Sequence, residues 1–184
     1  MKRNLMRNFK WFTFCLGMTV LLLSSQAFAD NERILFLHHS TGAGVYGGGD
    51  VPGWIEDYNR TSGANYIISE RSYPNSPYPW SNYPYDYWNL WVNGACNSSQ
   101  TGIECLSTLT QNYEVIIFKH CFPGAAIQAD SGAPAANTAD QELQNYRLQY
   151  RALRDVMDGY PHNIFIVWTL APLHRLATNA GDAG

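Results

Sequence analysis

A serine next to two histidines is the combination of residues in this chain that is best suited to chemistry. His38, His39 and Ser40 follow directly after the apolar run of residues 34–37. A serine hydroxyl is a weak nucleophile until a neighbouring base removes its proton, and an imidazole is well suited to that task. We therefore predict that Ser40 attacks an acyl group and that the chain is a hydrolase.

The apolar runs of the sequence indicate how this serine is positioned. Short, continuous apolar runs are typical of strands that are buried on both faces, and they occur at residues 34–37, 66–68, 115–118 and 164–168. Helical signals alternate with these runs, so crossovers connect the strands and the sheet is mostly parallel. The predicted fold is an α/β sandwich of three layers, with helices on both faces of the sheet.

Two of the predicted helices have recognisable start signals. Pro52 suits the first turn of a helix over residues 51–59, because a proline nitrogen needs no hydrogen bond there. Thr138 and Gln141 have the spacing of a capping box. We therefore predict a helix that begins at Thr138 and ends before Gly159, with one apolar face. That face is formed by Leu143, Tyr146, Tyr150, Leu153 and Met157.

Right-handed crossovers bring the turns after all four strands to one edge of the sheet. Lys119 and His120 follow the third strand, and Arg71 follows the second. We expect these residues at the same edge as Ser40, where ligands of open α/β sheets bind. The candidate substrate-binding residues of this edge are Thr41, Gly42 and Arg71.

The segment of residues 72–92 contains five tyrosines, three tryptophans and four prolines, without a helical or strand period. Two interpretations remain open. The segment is either a long loop or irregular helix that aromatic burial holds over the core, or a platform for a carbohydrate ligand. Sugar rings stack on aromatic faces while tyrosine and asparagine bind the hydroxyls. Asp86 and Trp88 are the candidate ligand-binding residues of this segment.

The first 29 residues have the pattern of a secretory signal peptide. Basic residues precede an apolar run at positions 11–23, and Ala27-Phe28-Ala29 provides a cleavage site. The run is shorter than the roughly 20 residues that span a bilayer. We therefore predict cleavage before Asp30, no membrane attachment afterwards, and one secreted or periplasmic domain over residues 30–184.

Charge and cysteine content agree with this location. The net charge is −3, and a chain without a basic surface is not expected to bind nucleic acid. In an oxidising compartment Cys96 and Cys105 are spaced to close a short polar loop with a disulfide, although the spacing also allows two free thiols. Cys121 then remains, either as a buried apolar group or as part of the site. We expect no metal ion or other cofactor.

Several sequence blocks resemble the SGNH/GDSL hydrolase superfamily, in particular a group of secreted bacterial SGNH-like proteins. The first block, Ile34-Leu-Phe-Leu-His-His-Ser-Thr-Gly42, stands at the position of the family's strand and GDS motif. The other blocks are residues 86–88, 117–123, 145–153 and 166–169. The resemblance covers nearly all of residues 30–184. It implies a flavodoxin-like sheet, ester hydrolysis, and Ser40 as a nucleophile whose own backbone N–H is one donor to the oxyanion.

The chain departs from the family pattern at three places. His39 replaces the aspartate of the GDS motif. Lys119-His120-Cys121 stands where the family has a Gly-x-Asn-Asp turn, so Lys119 or His120 would replace the asparagine as electrophile. The family's Asp-x-x-His base motif is not found before Gly184. Either the sequence is a C-terminally truncated fragment without the last strand and helix, with poor esterase activity, or His38, His39 or His120 is the base.

The sequence thus predicts a secreted esterase or deacetylase that acts on an acylated carbohydrate or another small ester. The alternative is a non-catalytic carbohydrate-binding or interaction module on the same scaffold. Two other interpretations have less support. One is a dinucleotide site at Gly42-x-Gly44-x-x-Gly47 with Glu70. The other is a metal site formed by His38 and His39, with or without His120, and with Asp50 or Asp86 as a further ligand. Adjacent residues of a strand point to opposite faces, which argues against His38 and His39 binding the same ion.

Overall fold

The structure, a computed structural model, describes residues 31–79, 81–97 and 103–170. The predictions for the signal peptide and for the C-terminal end of the chain lie outside these ranges. Four parallel strands form one sheet in the order β2-β1-β3-β4. The strands are β1 (Glu32–His38), β2 (Tyr66–Ser72), β3 (Val115–Phe118) and β4 (Ile164–Val167). The α/β class and the parallel sheet are therefore confirmed.

Five α-helices lie in the described part of the chain, and the first continues into a π-helical turn over Gly44–Gly48. The helices are α1 (Thr41–Ala43), α2 (Val51–Ser62), α3 (Pro84–Trp91), α4 (Leu106–Asn112) and α5 (Leu143–Met157). Pro52 lies in the first turn of α2, as predicted. The predicted start of α5 is wrong, because its N-cap is Glu142. The Thr138 hydroxyl instead hydrogen-bonds with Asp140 in a turn that precedes the helix.

One face of the sheet carries the hydrophobic core. Leu35 and Leu37 of β1 and Ile116 and Phe118 of β3 are completely buried, because alternate residues of a strand point to the same face. They pack against side chains of the three helices on this side, namely Tyr87, Leu90, Trp91, Leu106, Leu109 and Leu153. Part of the tyrosine-rich segment is therefore core, in agreement with the first of its two interpretations.

The other face of the sheet is covered less completely. The Phe36 ring lies 4.8 Å from the ring of His38 and 6.4 Å from that of Tyr46. Helix α2 also lies on this face, and its Tyr58 stacks on Tyr66 of β2. No residue of α2 is buried, and Ile164 at the edge strand is 58% exposed. Helices thus contact both faces, with unequal coverage.

The disulfide agrees with its prediction, and the structure favours the buried form of Cys121, the first of its two interpretations. Cys96 and Cys105 form a disulfide, and Cys121 is a buried free thiol. In the ranges that the structure describes, no helix has the length and apolar character needed to cross a membrane.

Candidate functional site

Ser40 occupies a strained turn between β1 and α1. Its backbone angles are φ 48° and ψ −110°, a region that residues other than glycine rarely adopt and that costs about 1–3 kcal/mol. A strained serine between a strand and a helix is the geometry of a nucleophile elbow, in which a sharp turn exposes the hydroxyl. Ser40 is exposed, and its hydroxyl does not cap the helix. The hydroxyl is therefore accessible to a substrate.

Gly42 closes this turn over the imidazole of His38. A Cβ atom added to Gly42 would overlap Cγ, Cβ and Nδ1 of His38. The backbone of the turn therefore lies against the edge of the ring that carries Nδ1. Any larger side chain at position 42 would displace either the turn or the imidazole, so the small residue is a steric requirement of the site.

His38 is held by a carboxylate on the neighbouring strand. Its Nε2 hydrogen-bonds to Oε2 of Glu70, while its Nδ1 is buried and has no hydrogen-bond partner in the described structure. The His38 side chain is 4% exposed and that of Glu70 36%. A carboxylate that binds one ring nitrogen fixes the orientation and the tautomer of the ring. The second ring nitrogen, Nδ1, lies under the backbone of Gly42.

Lys119 connects the ends of β1 and β3. Its Nζ donates a hydrogen bond to the Thr41 hydroxyl at 3.0 Å and another to the His120 carbonyl oxygen at 3.1 Å. Because Thr41 follows Ser40 directly, the ammonium group lies beside the serine turn. The predicted convergence of Ser40, Thr41 and Lys119 at one edge of the sheet therefore agrees with this hydrogen bond.

His39 and His120, the other two histidines among the predicted site residues, are buried, as His38 is. Nε2 of His39 donates a hydrogen bond of 2.7 Å to the Pro74 carbonyl oxygen, because a carbonyl oxygen can only accept. Burial lowers the pKa of His39, and the hydrogen bond to Pro74 partly opposes this effect. The ring of His39 is thus buried and hydrogen-bonded to the loop that follows β2, and it is not exposed at the edge of the sheet.

The expectation that His120 lines the edge of the sheet does not hold for its side chain. The ring is buried among the rings of Tyr87, Phe118 and Tyr150, at centroid distances of 4.7, 5.8 and 5.6 Å. Neither ring nitrogen has a hydrogen-bond partner in the described structure. Burial, with a smaller effect of the Lys119 charge, lowers the pKa of His120 to about 3. A neutral, enclosed imidazole does not fit the role of general base or electrophile.

Arg71 lies on the opposite face of the sheet from His38. It is paired in register with Leu37, whose side chain points into the core. The guanidinium group forms an ion pair with Glu104, donates a hydrogen bond of 2.7 Å to the Tyr113 hydroxyl, and lies over the Tyr113 ring. The structure therefore does not bring the Arg71 side chain to the face of the sheet that carries His38 and Glu70.

The candidates in the tyrosine-rich segment lie on α3. Oδ2 of Asp86 accepts hydrogen bonds from the backbone N–H groups of Ser81 and Tyr83, at 2.9 and 3.0 Å, and so begins the helix. Burial raises the pKa of Asp86, and these hydrogen bonds oppose that effect. Trp88 is half-buried and stacks on Tyr85, with 5.9 Å between the ring centroids. Asp86 thus has a structural role in addition to any role in binding.

Glu70 is a site residue whose pairing with His38 the sequence pattern did not predict. The apolar run predicts a second strand over residues 66–68, and this places Glu70 in the turn that follows. The observed β2 continues to Ser72 and pairs with β1 up to His38. Extending the second strand to the length of the first would have placed Glu70 on the same face as His38.

Two further findings concern metal binding and similarity to known proteins. In the ranges that the structure describes, no group of three or more His, Cys, Asp or Glu side chains is arranged to hold a metal ion. No protein-family model matches the chain, and neither the curated proteins nor the solved structures include a match. The fold and site are those of an α/β protein with an exposed serine and a glutamate-bound histidine at one edge of its parallel sheet.

Proposed function

We propose that this protein is a serine ester hydrolase of the SGNH-like type, with Ser40 as its nucleophile. The observation that carries the proposal is the strained backbone of Ser40 between β1 and α1, with an exposed hydroxyl that caps no helix. Strain of this kind is concentrated at functional sites, where it holds a reactive group in place.

The pair of His38 and Glu70 supplies the base. In the proposed reaction the Ser40 oxygen attacks the acyl carbon of an ester, and its proton passes to Nδ1 of His38. The Glu70 carboxylate stabilises the resulting imidazolium. The same proton then goes to the leaving alcohol as the ester C–O bond breaks. Water hydrolyses the acyl-serine in a second step with His38 again as base.

Lys119 is suited to the charge that develops during attack. Its ammonium group is fixed beside the turn by the hydrogen bond to Thr41. A positive group close to the carbonyl oxygen would stabilise the oxyanion together with the backbone N–H of Ser40. This assignment gives Lys119 the role that the asparagine of the Gly-x-Asn-Asp turn has in the family.

The arrangement of the strands supports the SGNH-like scaffold. The order β2-β1-β3-β4 is the order in which flavodoxin-like sheets begin, and their ligands bind at the switch point between the first and third strands. Ser40 follows β1 and Lys119 follows β3, so the two residues flank this switch point. The signal-peptide pattern of the first 29 residues supports a secreted or periplasmic location, and the tyrosine-rich segment favours an acylated carbohydrate as substrate.

A carbohydrate-binding or interaction module without catalysis is the second candidate. It is favoured by the burial of His39 and His120. It is also favoured by the described hydrogen bonds, none of which joins the Ser40 hydroxyl to an imidazole. A module of this kind would keep the exposed serine but would not activate it.

A covalent probe of serine hydrolases separates the two candidates. The mature protein and its Ser40→Ala, His38→Gln and Glu70→Gln variants would be incubated with a fluorophosphonate, and the labelled residue identified by mass spectrometry. We expect labelling at Ser40 in the wild type and a rate that falls by about 100-fold or more in Glu70→Gln, since loss of the orienting carboxylate costs up to about 10⁴-fold in a triad.

Glu56→Gln is the matched control for the charge change, because Glu56 is an exposed residue of α2. Hydrolysis of p-nitrophenyl acetate by the same variants would show whether acyl transfer follows the same order. Equal labelling of Ser40 in the wild type and in Glu70→Gln would contradict the proposed base. No labelling of Ser40 at all would favour the non-catalytic module.

A further inference from the structure

An open pocket of about 370 Å³ lies at the start of α3. Three tyrosines line it, namely Tyr78, Tyr83 and Tyr85, together with Asp86 and Asn89. The volume lies within the range of small-molecule sites, which is about 300–1,000 Å³. Residues of the tyrosine-rich segment, among them the core residue Tyr78, therefore line a space of the size of a ligand.

The polar groups of this pocket are held in fixed positions. Asn89 donates a hydrogen bond of 2.9 Å to the Tyr78 hydroxyl. Burial raises the pKa of Tyr78 to about 12, so its hydroxyl stays protonated. Asp86 is 3% exposed and is fixed by the backbone N–H groups that begin α3. The pocket thus presents preorganised hydroxyl and amide groups, beside a buried carboxylate that already accepts the hydrogen bonds at the start of α3.

The composition of the lining points to a neutral, hydroxylated ligand. Among the residues that the structure describes, no lysine or arginine lines the pocket, so no described side chain there would balance the charge of a phosphate or an acidic sugar. Tyrosine rings offer flat apolar faces to the C–H groups of a sugar, and their hydroxyls pair with those of the ring. Tyr85 is stacked on Trp88, which holds its ring in place.

We propose that this pocket is a binding subsite for a neutral saccharide. This proposal extends the proposed function. It rests on that function in one respect, namely that the bound sugar carries the ester that Ser40 would attack. Binding itself does not depend on hydrolysis and is measured separately. A quaternary ammonium ion is the competing ligand, because aromatic rings with an acidic group can also enclose a cation. The Asp86 carboxylate already accepts two backbone hydrogen bonds, which makes it less available for that role.

Isothermal titration calorimetry on the mature Ser40→Ala protein tests this proposal, since this variant cannot turn over an ester. The probes are cellotetraose, xylotetraose and mannotetraose, with choline chloride as the cation. We expect at least one tetrasaccharide to bind and choline not to bind. Adding Tyr85→Ala should weaken saccharide binding by about tenfold, because it removes one of the aromatic faces on which the sugar ring stacks.

A bulky residue at the mouth of the pocket provides a second, independent test. Ala139 is exposed and lines the pocket, so Ala139→Trp should fill the space and abolish binding without a change in the core. Ala133→Trp is the matched control, because Ala133 is exposed on the same loop and does not line the pocket; it should leave the affinity unchanged.

Three results would overturn the subsite. They are the failure of all three tetrasaccharides to bind, full binding by Ala139→Trp, and binding of choline in preference to the sugars. Failure of the proposed function is a separate outcome, since it would appear as the absence of fluorophosphonate labelling at Ser40 while the saccharide still binds. Labelling of Ser40 without saccharide binding would overturn the subsite alone.

Discussion

His120 makes the stability of the protein depend on pH. Its ring is buried without a hydrogen bond to either nitrogen, and burial lowers its pKa from 6.5 to about 3. The native state therefore binds fewer protons than the unfolded state between these two values. Stability is unaffected by this group above about pH 6.5 and falls progressively as the pH decreases toward 3.

The size of the effect follows from the two pKa values. The gap between 6.5 and about 3 corresponds to about 5 kcal/mol once both states are protonated. At about pH 4.5 the loss is about 3 kcal/mol. This is a large part of the 5–15 kcal/mol by which a typical domain is stable, so it is measurable above the contributions of other groups.

Replacement of the imidazole by a benzene ring removes this effect. In His120→Phe the edge-to-face contacts with Tyr87 and Tyr150 are kept and no buried nitrogen is left unpaired. Urea unfolding at about pH 7.5 and 4.5 should therefore show about 3 kcal/mol less pH dependence in the variant than in the wild type. His162→Gln is the control, since His162 is exposed in the turn before β4.

An identical loss of stability in the wild type and in His120→Phe would refute the reasoning. It would mean that the ring is protonated in the folded protein or is reached by water. Should the larger ring disturb the core, His120→Leu offers a second apolar replacement with the same expected difference. The prediction would also be contradicted if His162→Gln, and not His120→Phe, reduced the pH dependence of the free energy of unfolding.

Three further predictions concern the turn, the core and the disulfide. Gly42→Ala should lower fluorophosphonate labelling by about tenfold or more, because the new methyl group overlaps the buried imidazole below it. Leu153→Ala should reduce the free energy of unfolding by about 2–5 kcal/mol in urea titrations, since the side chain is completely buried. Replacement of Cys96 and Cys105 by alanine should cost about 3 kcal/mol, the value for closing a short loop.

Each of these variants has a matched control. Gly44→Ala should label normally, because a Cβ atom there has no neighbour within 4 Å. Leu143→Ala should change stability by less than about 1 kcal/mol, since Leu143 is 41% exposed. Reductant should destabilise the wild type and leave the double cysteine variant unaffected. If a control variant had the same effect as the variant it is matched to, the contact assigned to that position would not be the cause of the effect.

The sequence was sufficient to predict the presence of the four described strands, because their apolar residues are continuous and their ends are polar. It did not predict every strand length, since β2 continues to Ser72 beyond the predicted run of residues 66–68. The run at residues 115–118 coincides with β3. Capping was harder to predict. Thr138 and Gln141 have the spacing of a capping box, but the Thr138 hydroxyl bonds within its own turn and α5 begins after Glu142. Local hydrogen bonds of this kind depend on the path of the loop.

The candidate site was predictable in its location and only partly in its composition. The sheet edge and the position of Ser40 follow from the strand pattern, as does the presence of Lys119 beside it. The strand pattern does not predict the direction of a side chain. Lys119 and His120 are adjacent in sequence, yet Lys119 hydrogen-bonds to Thr41 and the His120 ring is buried in the aromatic core. The pairing of His38 with Glu70 depended on how far β2 extends.

The positive φ of Ser40 lowers the stability of the folded protein, while the side chain at this position supplies the hydroxyl that the proposed reaction needs. At such backbone angles a glycine would avoid the steric cost of a Cβ atom, of about 1 kcal/mol or more. Ser40→Gly should thus melt at a higher temperature than the wild type and be inert toward acylating probes. A screen for heat resistance alone would select this substitution and discard the hydroxyl, so any stabilisation campaign on this scaffold should leave position 40 untouched.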